Sequence, residues 1–165
     1  MPYLEIRTEA FADLDAIRAV VKDAFPTPVE AQLVDRLRDD GSIFLSLVAL
    51  SDGAVVGHVV FSRMRAPAGA LGLGPVAVSS SHRRIGIAAQ LIEAGLARAK
   101  AEGWKSVFVL GNPAYYTRFG FRPELAAGFL SPYAGPHLMG LELQPGALAV
   151  RAGELRYPEA FSDLD

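Results

Sequence analysis

The stretch VAVSSSHRRIGIA, residues 76–88, decides the fold class of this chain. It passes from alternating apolar residues through a polar turn into small and branched apolar residues. Arg83, Gly86 and Ala88 form an Arg-x-x-Gly-x-Ala pattern, whose small residues let an anion approach the backbone closely. The free N–H groups and the positive dipole of a helix start, together with the guanidinium groups of Arg83 and Arg84, predict a pyrophosphate cradle.

The pattern is short, and other interpretations of it stay open. In a chain rich in glycine and alanine such a pattern also arises by chance, and a glycine near a helix start also serves ordinary turn chemistry. Two other phosphate loops are excluded, because this loop has neither the Gly-Lys-Ser/Thr of a P-loop nor the Gly-x-Gly-x-x-Gly spacing of a dinucleotide site.

The segments around this stretch predict a parallel strand–helix–strand crossover. A strand is expected over 71–78, and a helix over 84–101, where apolar residues recur at spacings of three and four. Residues 107–110 form an unbroken apolar run, which is typical of a strand buried on both faces. A strand, a helix and a buried strand in this order imply a right-handed crossover.

Farther out, the pattern predicts antiparallel strands behind two leading helices. The runs 42–50 and 54–64 flank an Asp52-Gly53 pair, which is a strong hairpin signal. The other expected elements are strands over 4–7 and 138–143, helices over 10–24, 29–38 and 114–119, a long loop over 123–135 and a last strand within 147–157. The sum is an α/β fold (an α+β mixed sheet). It has a central, mostly antiparallel sheet of six or seven strands, one parallel crossover and flanking helices.

Composition excludes several classes of protein. The 165 residues include no cysteine, so disulfides, zinc–thiolate sites, iron–sulfur clusters and a thiol nucleophile are excluded. A formal net charge of −2 gives no bulk electrostatic reason to bind nucleic acid or an anionic membrane. The N-terminus lacks the pattern of a signal peptide. We therefore expect a cytoplasmic protein with one domain over residues 1–165.

A second motif lies downstream, where Tyr116 stands four residues before the pair Gly120-Phe121. Phe119 and Phe121 are most simply core residues, and the adjacent Tyr115 and Tyr116 cannot share one helix face. A phenol beside a cleft can donate a proton to a leaving thiolate. A structural role is the commoner one for a single tyrosine, so both roles stay open on this motif alone.

Taken together, these features resemble the GNAT superfamily of N-acetyltransferases. The resemblance is sharpest over 71–123, and GNPAYYTRFGF at 111–121 is most similar to a branch of small bacterial acetyltransferases. It implies that the chain transfers an acetyl group from acetyl-CoA to a primary amine of a small molecule or peptide, without a metal or a covalent enzyme intermediate. The alternative is a non-catalytic acyl-CoA-binding sensor or scaffold. A protein that binds the phosphates of a nucleotide or RNA through Arg83 and Arg84 is a weaker interpretation, because the net negative charge of the chain opposes it.

The resemblance also implies residue roles. Tyr116 corresponds to the general acid, and the cleft is expected between the strands 71–78 and 106–110. The backbone of the first strand is implied to bind pantetheine and the loop after it to bind pyrophosphate. The implied cofactor-binding residues are Val76, Ala77, Val78, Arg83, Arg84, Ile85, Gly86, Ile87, Ala88 and Asn112.

The chain departs from the family pattern at several positions. Ala88 stands where many members have a second glycine, a swap that adds only a methyl group. Val109 stands where many members carry an asparagine, and Asn112 lies closer to the tyrosine instead. No carboxylate stands on the strand 71–78, where some members have a general base.

The general base and the acceptor therefore stay open. A water chain, His58, His137 or Glu30 could serve as base, although His58 reads as a packed strand residue and Glu30 as a solvated one. The acceptor site is expected at the first two helices and at the loop 125–137, where Tyr133 and His137 are lining candidates. This loop lacks the acidic cluster that a polycationic acceptor would favour, so a small amine, an amino acid or a peptide N-terminus remain. A homodimer is a further expectation from the family.

Overall fold

The computed structural model describes residues 4–149 and 151–164, so both ends of the predicted domain, residues 1–3 and 165, lie outside the described part. The strands are β1 (Leu4–Thr8), β2 (Ile43–Ser51), β3 (Ala54–Arg63), β4 (Ala70–Val78), β5 (Ser106–Leu110), β6 (Phe129–Leu130), β7 (Leu138–Glu142) and β8 (Gly153–Glu154). The α-helices are α1 (Leu14–Ala24), α2 (Val29–Asp39), α3 (Ile87–Ala101) and α4 (Pro113–Tyr116), and short 3-10 turns join several elements.

The central sheet has six strands in the order β1-β2-β3-β4-β5-β7. All of its pairings are antiparallel except β4 with β5, which α3 connects as a parallel crossover. The fold class predicted from the sequence is therefore confirmed. No helix in 4–149 or 151–164 is long and apolar enough to cross a membrane.

Helices cover both faces of the sheet. On one face, Leu91 and Ile92 of α3 are fully buried in a cluster with Phe61 of β3. On the other face, Val21 of α1 is buried in a cluster with Val48 of β2, and α2 adds a neighbouring apolar cluster. Successive side chains of each strand point to opposite faces of the sheet and so pack in both apolar layers.

A bulge in β4 opens the sheet near its middle. In the pairing of β3 with β4, Val60 alone faces two residues of β4, Gly74 and Pro75. A bulge bends the strand that carries it. Accordingly, β5 pairs with residues 70–73 of β4, whereas 74–78 have no partner strand on that side within the described part of the chain. The two parallel strands thus diverge, as the resemblance implied.

The starts of two helices differ from the sequence-based prediction. The helix expected from Arg84 begins at Ile87, because Arg84 and Gly86 have φ angles of 65° and 85°. The helix expected from residue 10 starts with a 3-10 turn and becomes α-helical at Leu14.

The last strand expected within 147–157 exists as the two-residue β8, but it lies outside the central sheet. Its two residues in β8 pair instead with β6, which lies inside the segment 123–135 that was expected to be a loop. The alternation of apolar residues is too short in both segments to predict this separate pairing.

Candidate functional site

The unpaired half of β4 forms the floor of the candidate site. Val76 and Val78 direct their side chains toward the α3 side of the sheet, whereas Ala77 is buried in the cluster beneath α1. On the β5 side, the backbone of 74–78 has no strand to pair with in the described residues. Unpaired strand backbone is a ready template for hydrogen bonds with an extended ligand.

The loop between β4 and α3 curls into a cradle. Arg84 and Gly86 both adopt left-handed backbone conformations, with φ angles of 65° and 85°. Turns of this kind aim successive N–H groups into one concavity that binds anions. The first N–H groups of α3 are also free by helix geometry, and no acidic residue occupies its first turn.

Asp23, at the end of α1, holds this loop from the other side. Its carboxylate accepts hydrogen bonds from the backbone N–H of Ser80 at 2.6 Å and from the Ser80 hydroxyl at 3.2 Å. These two hydrogen bonds, with help from the charge of Arg83, lower the pKa of Asp23. The Arg83 guanidinium itself donates to the carbonyls of Val78 and Asp23, both at 3.4 Å.

A cavity of about 470 Å³ lies above β4 and this loop. Of the residues implied as cofactor-binding, its lining includes Val76, Val78, Arg83, Arg84, Gly86, Ile87 and Ala88. The lining also includes Arg118, whose guanidinium stacks 4.3 Å from the ring centre of Tyr115. The cavity therefore combines free backbone N–H groups with arginine side chains, which is a donor set suited to phosphate oxygens.

Three implied cofactor residues have side chains outside this lining. Ala77 is 2% exposed in the apolar core, and the side chain of Ile85 is 60% exposed. The side-chain oxygen of Asn112 accepts a hydrogen bond from the N–H of Ala114 at 3.0 Å and caps α4. In this structure the side chain of Asn112 is therefore engaged locally.

Tyr116 lines a second cavity, of about 250 Å³, next to the first. Phe25 and Val76 line both cavities, so the two meet where β4 diverges from β5. Tyr115 faces the first cavity and Tyr116 the second, which agrees with the expectation that the two rings cannot share a face.

The surroundings of Tyr116 fix its ring and keep its proton. The ring packs edge-on against Phe121, with centroids 6.0 Å apart, and lies against the backbone of Gly111. Burial, with a smaller contribution from Tyr115, raises the pKa of Tyr116 to about 12. Its hydroxyl has no hydrogen-bond partner among residues 4–149 and 151–164, so the proton is free for a ligand.

The candidate general bases lie in different surroundings, and only one of their side chains lines the second cavity. Glu30, expected to be solvated, is partly buried and lines the second cavity together with Tyr116. Tyr133 also lines that cavity. His137 is exposed outside it, where its Nδ1 lies 3.1 Å from the carbonyl oxygen of Gly111.

His58 is fully buried away from both cavities. Its Nε2 lies 2.7 Å from the hydroxyl of Ser46 and 3.7 Å from the carboxylate of Glu9. Burial lowers the pKa of His58, against the opposing effect of Glu9. Burial alone would raise the pKa of Glu9, but its interaction with His58 and the hydrogen bonds from Arg38 and Ser46 outweigh burial and lower that pKa to about 2. His58 is thus packed and hydrogen-bonded, as expected.

Sequence reasoning missed several residues around the two cavities, among them Arg118, Asp23, Tyr157 and Phe161. Arg118 lies inside the quoted motif at 111–121, and its charge was the available signal. Asp23 carried no signal, since it meets Ser80 from 57 positions away along the chain. No group of His, Asp and Glu side chains in the described part of the chain is arranged to hold a metal ion.

Comparison with known proteins gives one consistent family. A family model described as the acetyltransferase (GNAT) family matches residues 9–121. The chain is 42% identical over 126 residues to the uncharacterized N-acetyltransferase YhbS of Escherichia coli strain K12, and the alignment covers 74% of each protein.

Solved structures agree with the sequence match. The crystal structure of the GNAT family N-acetyltransferase YhbS from Escherichia coli in complex with CoA has a TM-score of 0.92 and 33% identity, covering 98% of this chain and 93% of that one. The structure of a GNAT family acetyltransferase from Brucella melitensis in complex with acetyl-CoA has a TM-score of 0.82 and 33% identity, covering 96% and 98%. The similarity therefore extends beyond residue 121 into the C-terminal segment.

Proposed function

The chain belongs to the GNAT family of acetyltransferases, and from this premise we propose that it is a single-domain enzyme that transfers the acetyl group of acetyl-CoA directly to a primary amine. The observation that carries the proposal is the junction of two cavities at Val76, beside the unpaired half of β4. One cavity offers donors for phosphates, and the other holds a protonated phenol. The two relatives crystallised with CoA and acetyl-CoA support the same assignment.

In this proposal the first cavity binds acetyl-CoA. The N–H groups of the loop 83–88 and of the start of α3 hold the pyrophosphate, and Arg83, Arg84 and Arg118 add positive charge. The free backbone of Val76, Ala77 and Val78 pairs with the pantetheine arm as an added strand would. Asn112 stays a predicted contact, in which its side-chain NH2 group can donate while its oxygen still accepts from the N–H of Ala114.

The reacting groups meet at the junction of the cavities. The acceptor ammonium first releases a proton to solvent, and its nitrogen then forms a bond to the thioester carbonyl carbon. A backbone N–H in 76–78 stabilises the negative charge that develops on the carbonyl oxygen. As the C–S bond breaks, its electron pair goes to sulfur, and Tyr116 donates a proton to the thiolate. The nitrogen's second proton returns through solvent to the phenolate, so one proton is released per ammonium consumed.

Thiol release tests the proposal directly. The protein is incubated with acetyl-CoA and a panel of amines, and free CoA thiol is followed by a colorimetric reagent while CoA binding is measured by calorimetry. Binding with amine-dependent thiol release is the expected result. Tight CoA binding without thiol release from any amine would instead indicate a non-catalytic acyl-CoA-binding module.

The cradle is tested by Gly86→Glu, which brings a bulky carboxylate into the phosphate site. We expect CoA binding to fall below detection. Gly103→Glu is the matched control, because Gly103 has nearly the same φ angle (86° against 85°) and lies beyond the other end of α3. Equal CoA affinity in the two folded variants would contradict the cradle. The homodimer expected from the family stays a prediction, which light scattering tests.

A further inference from the structure

The lining of the second cavity combines one charged side chain with mostly apolar and aromatic ones. Glu30 is its one charged side chain in the described part of the chain, and no arginine, lysine or histidine lines it. Most of the remaining wall is apolar or aromatic and includes Tyr133, Tyr157, Phe161, Leu33 and Leu110. A cavity with apolar walls and a few fixed polar groups is the usual form of a small-molecule site.

The aromatic wall is held in place by its own contacts. The rings of Tyr133 and Tyr157 meet edge-on with centroids 5.7 Å apart, and those of Tyr157 and Phe161 lie 4.9 Å apart. The Tyr133 hydroxyl donates a hydrogen bond to the Phe161 carbonyl at 2.9 Å. Leu110, which also lines the cavity, leaves 49% of its surface exposed, and this is apolar area that a ligand can cover.

Glu30 is available to a cation. Its carboxylate lies 3.4 Å from the Thr27 hydroxyl and has no cationic partner among the described residues. An ammonium group in the cavity would therefore find one carboxylate. A carboxylate on the same molecule would meet the charge of Glu30 with no cation to balance it. A second ammonium group would be desolvated against aromatic rings with no second anion.

We propose, resting on the proposed function, that the acceptor is a primary monoamine with one aromatic or branched apolar group and no carboxylate. Its amino group hydrogen-bonds to Glu30, and its apolar group packs against Tyr133, Tyr157 and Phe161. The cavity of about 250 Å³ has room for such a group, since a cavity of about 150 Å³ holds benzene. Amino acids and polyamines are excluded by charge rather than by size.

Matched amines test the substrate class. We compare kcat/KM for 2-phenylethylamine and 3-methylbutylamine with that for L-phenylalanine, which adds a carboxylate, and 1,4-diaminobutane, which adds a second ammonium. The two monoamines should exceed both others at least about tenfold, as expected for an unpaired buried charge. Equal or better turnover of phenylalanine or the diamine would overturn the inference.

The role of Glu30 is tested by Glu30→Gln, with 2-phenylethylamine as the probe. We expect KM for this amine to rise about 10- to 100-fold, because a charged hydrogen bond is lost, while the Kd for acetyl-CoA stays unchanged. Asp39→Asn is the control, since it removes the same charge from the other end of α2, about 13.5 Å away along the helix. The same KM in both variants would exclude Glu30 from amine recognition.

Leu110→Glu should shift the amine preference from the monoamine toward the diamine. The half-exposed side chain tolerates a polar replacement, and the new carboxylate gives a second ammonium group its partner. The ratio of kcat/KM for 1,4-diaminobutane to that for 2-phenylethylamine should rise about tenfold or more. An unchanged ratio would contradict the placement of the acceptor in this cavity.

A binding measurement separates this inference from the proposed function. Calorimetry of each amine, with and without saturating CoA, reports recognition without requiring turnover. If 2-phenylethylamine binds and phenylalanine and the diamine do not, the inference holds even when no thiol is released, and only the proposed catalysis fails. If CoA binds and the three amines bind alike, the inference fails while the proposed function stands.

Discussion

Replacing Gly111 by alanine should slow the reaction by displacing the ring of Tyr116. The added Cβ would lie 2.5 Å from Cε2 and 2.9 Å from Cδ2 of that ring. Because nonbonded carbons rest about 3.5 Å apart or more, the ring must move by about 1 Å. The φ angle of Gly111 lies outside the left-handed region, so alanine adds little backbone strain of its own.

A displacement of about 1 Å in a reacting group can cost about 100-fold in rate. We therefore expect kcat of Gly111→Ala to fall by about that factor, with the Kd for CoA nearly unchanged, since Gly111 does not line the first cavity. Overpacking should also lower the free energy of unfolding by about 1–3 kcal/mol. Steady-state kinetics, calorimetry and urea denaturation measure these three quantities.

Gly140→Ala and a double-mutant cycle control for indirect effects. Alanine at Gly140 crowds another buried ring, with its Cβ 3.1 Å from Cε1 of Phe108, outside both cavities. It should destabilise the protein but leave kcat within about twofold. If Gly111→Ala acts through the phenol, it should cost little in a Tyr116→Phe background. A full 100-fold loss there, or a native kcat in the single variant, would refute the reasoning.

Three further predictions concern the site and the core. Tyr116→Phe should lower kcat about 100-fold or more with the Kd for CoA unchanged, and a kcat equal to that of the native enzyme would exclude the phenol as the acid. The native enzyme should lose no activity through ionisation of Tyr116 below about pH 11, because the pKa of this tyrosine is raised to about 12. Asp23→Ala should weaken CoA binding about 3- to 10-fold in calorimetry, because it releases the loop after β4, whereas Asp15→Ala on the same helix should leave CoA binding unchanged. Equal affinities of these two variants for CoA would contradict the role of Asp23 in holding the loop. The free energy of unfolding should fall as the solution becomes acidic. Because the pKa of His58 is lowered in the folded protein, the unfolded chain binds a proton at this residue more readily below about pH 6.5, and the stabilisation by Glu9 is present above pH 4.5 and lost as the pH falls toward 2. Urea denaturation at several pH values should show this decrease, and a free energy of unfolding that does not change with pH would contradict it.

Much of the fold followed from local patterns. The hairpin at Asp52-Gly53 and the apolar run at 107–110 each carry a signal within a few residues, and both elements lie where they were expected. The start of α3 was placed too early because Arg84 is an acceptable helix residue. The left-handed conformation of Arg84 depends on the loop around it, which no helical periodicity records.

The candidate site was only partly predictable for a related reason. The loop 83–88 and Tyr116 are contiguous motifs, so residue type and spacing were enough to predict them as site residues, and the loop lines the first cavity and Tyr116 the second. Glu30 read as a solvated helix residue, and its place in a cavity depends on packing between α2 and the C-terminal segment. The contact of Asp23 with Ser80 likewise joins distant parts of the chain, which no local pattern reveals.

The division of the second cavity between distant segments has a consequence for how such enzymes diversify. Tyr133, Tyr157 and Phe161 all follow residue 121, where the match to the family model ends, whereas the loop 83–88 lies inside the match. Substitutions in the C-terminal segment can thus reshape the pocket for the incoming amine and leave the cradle untouched. A chimera that exchanges residues 122–164 between two relatives should take its preference for the apolar group of the amine from one parent. Its affinity for acetyl-CoA and its charge preference at position 30 should come from the other.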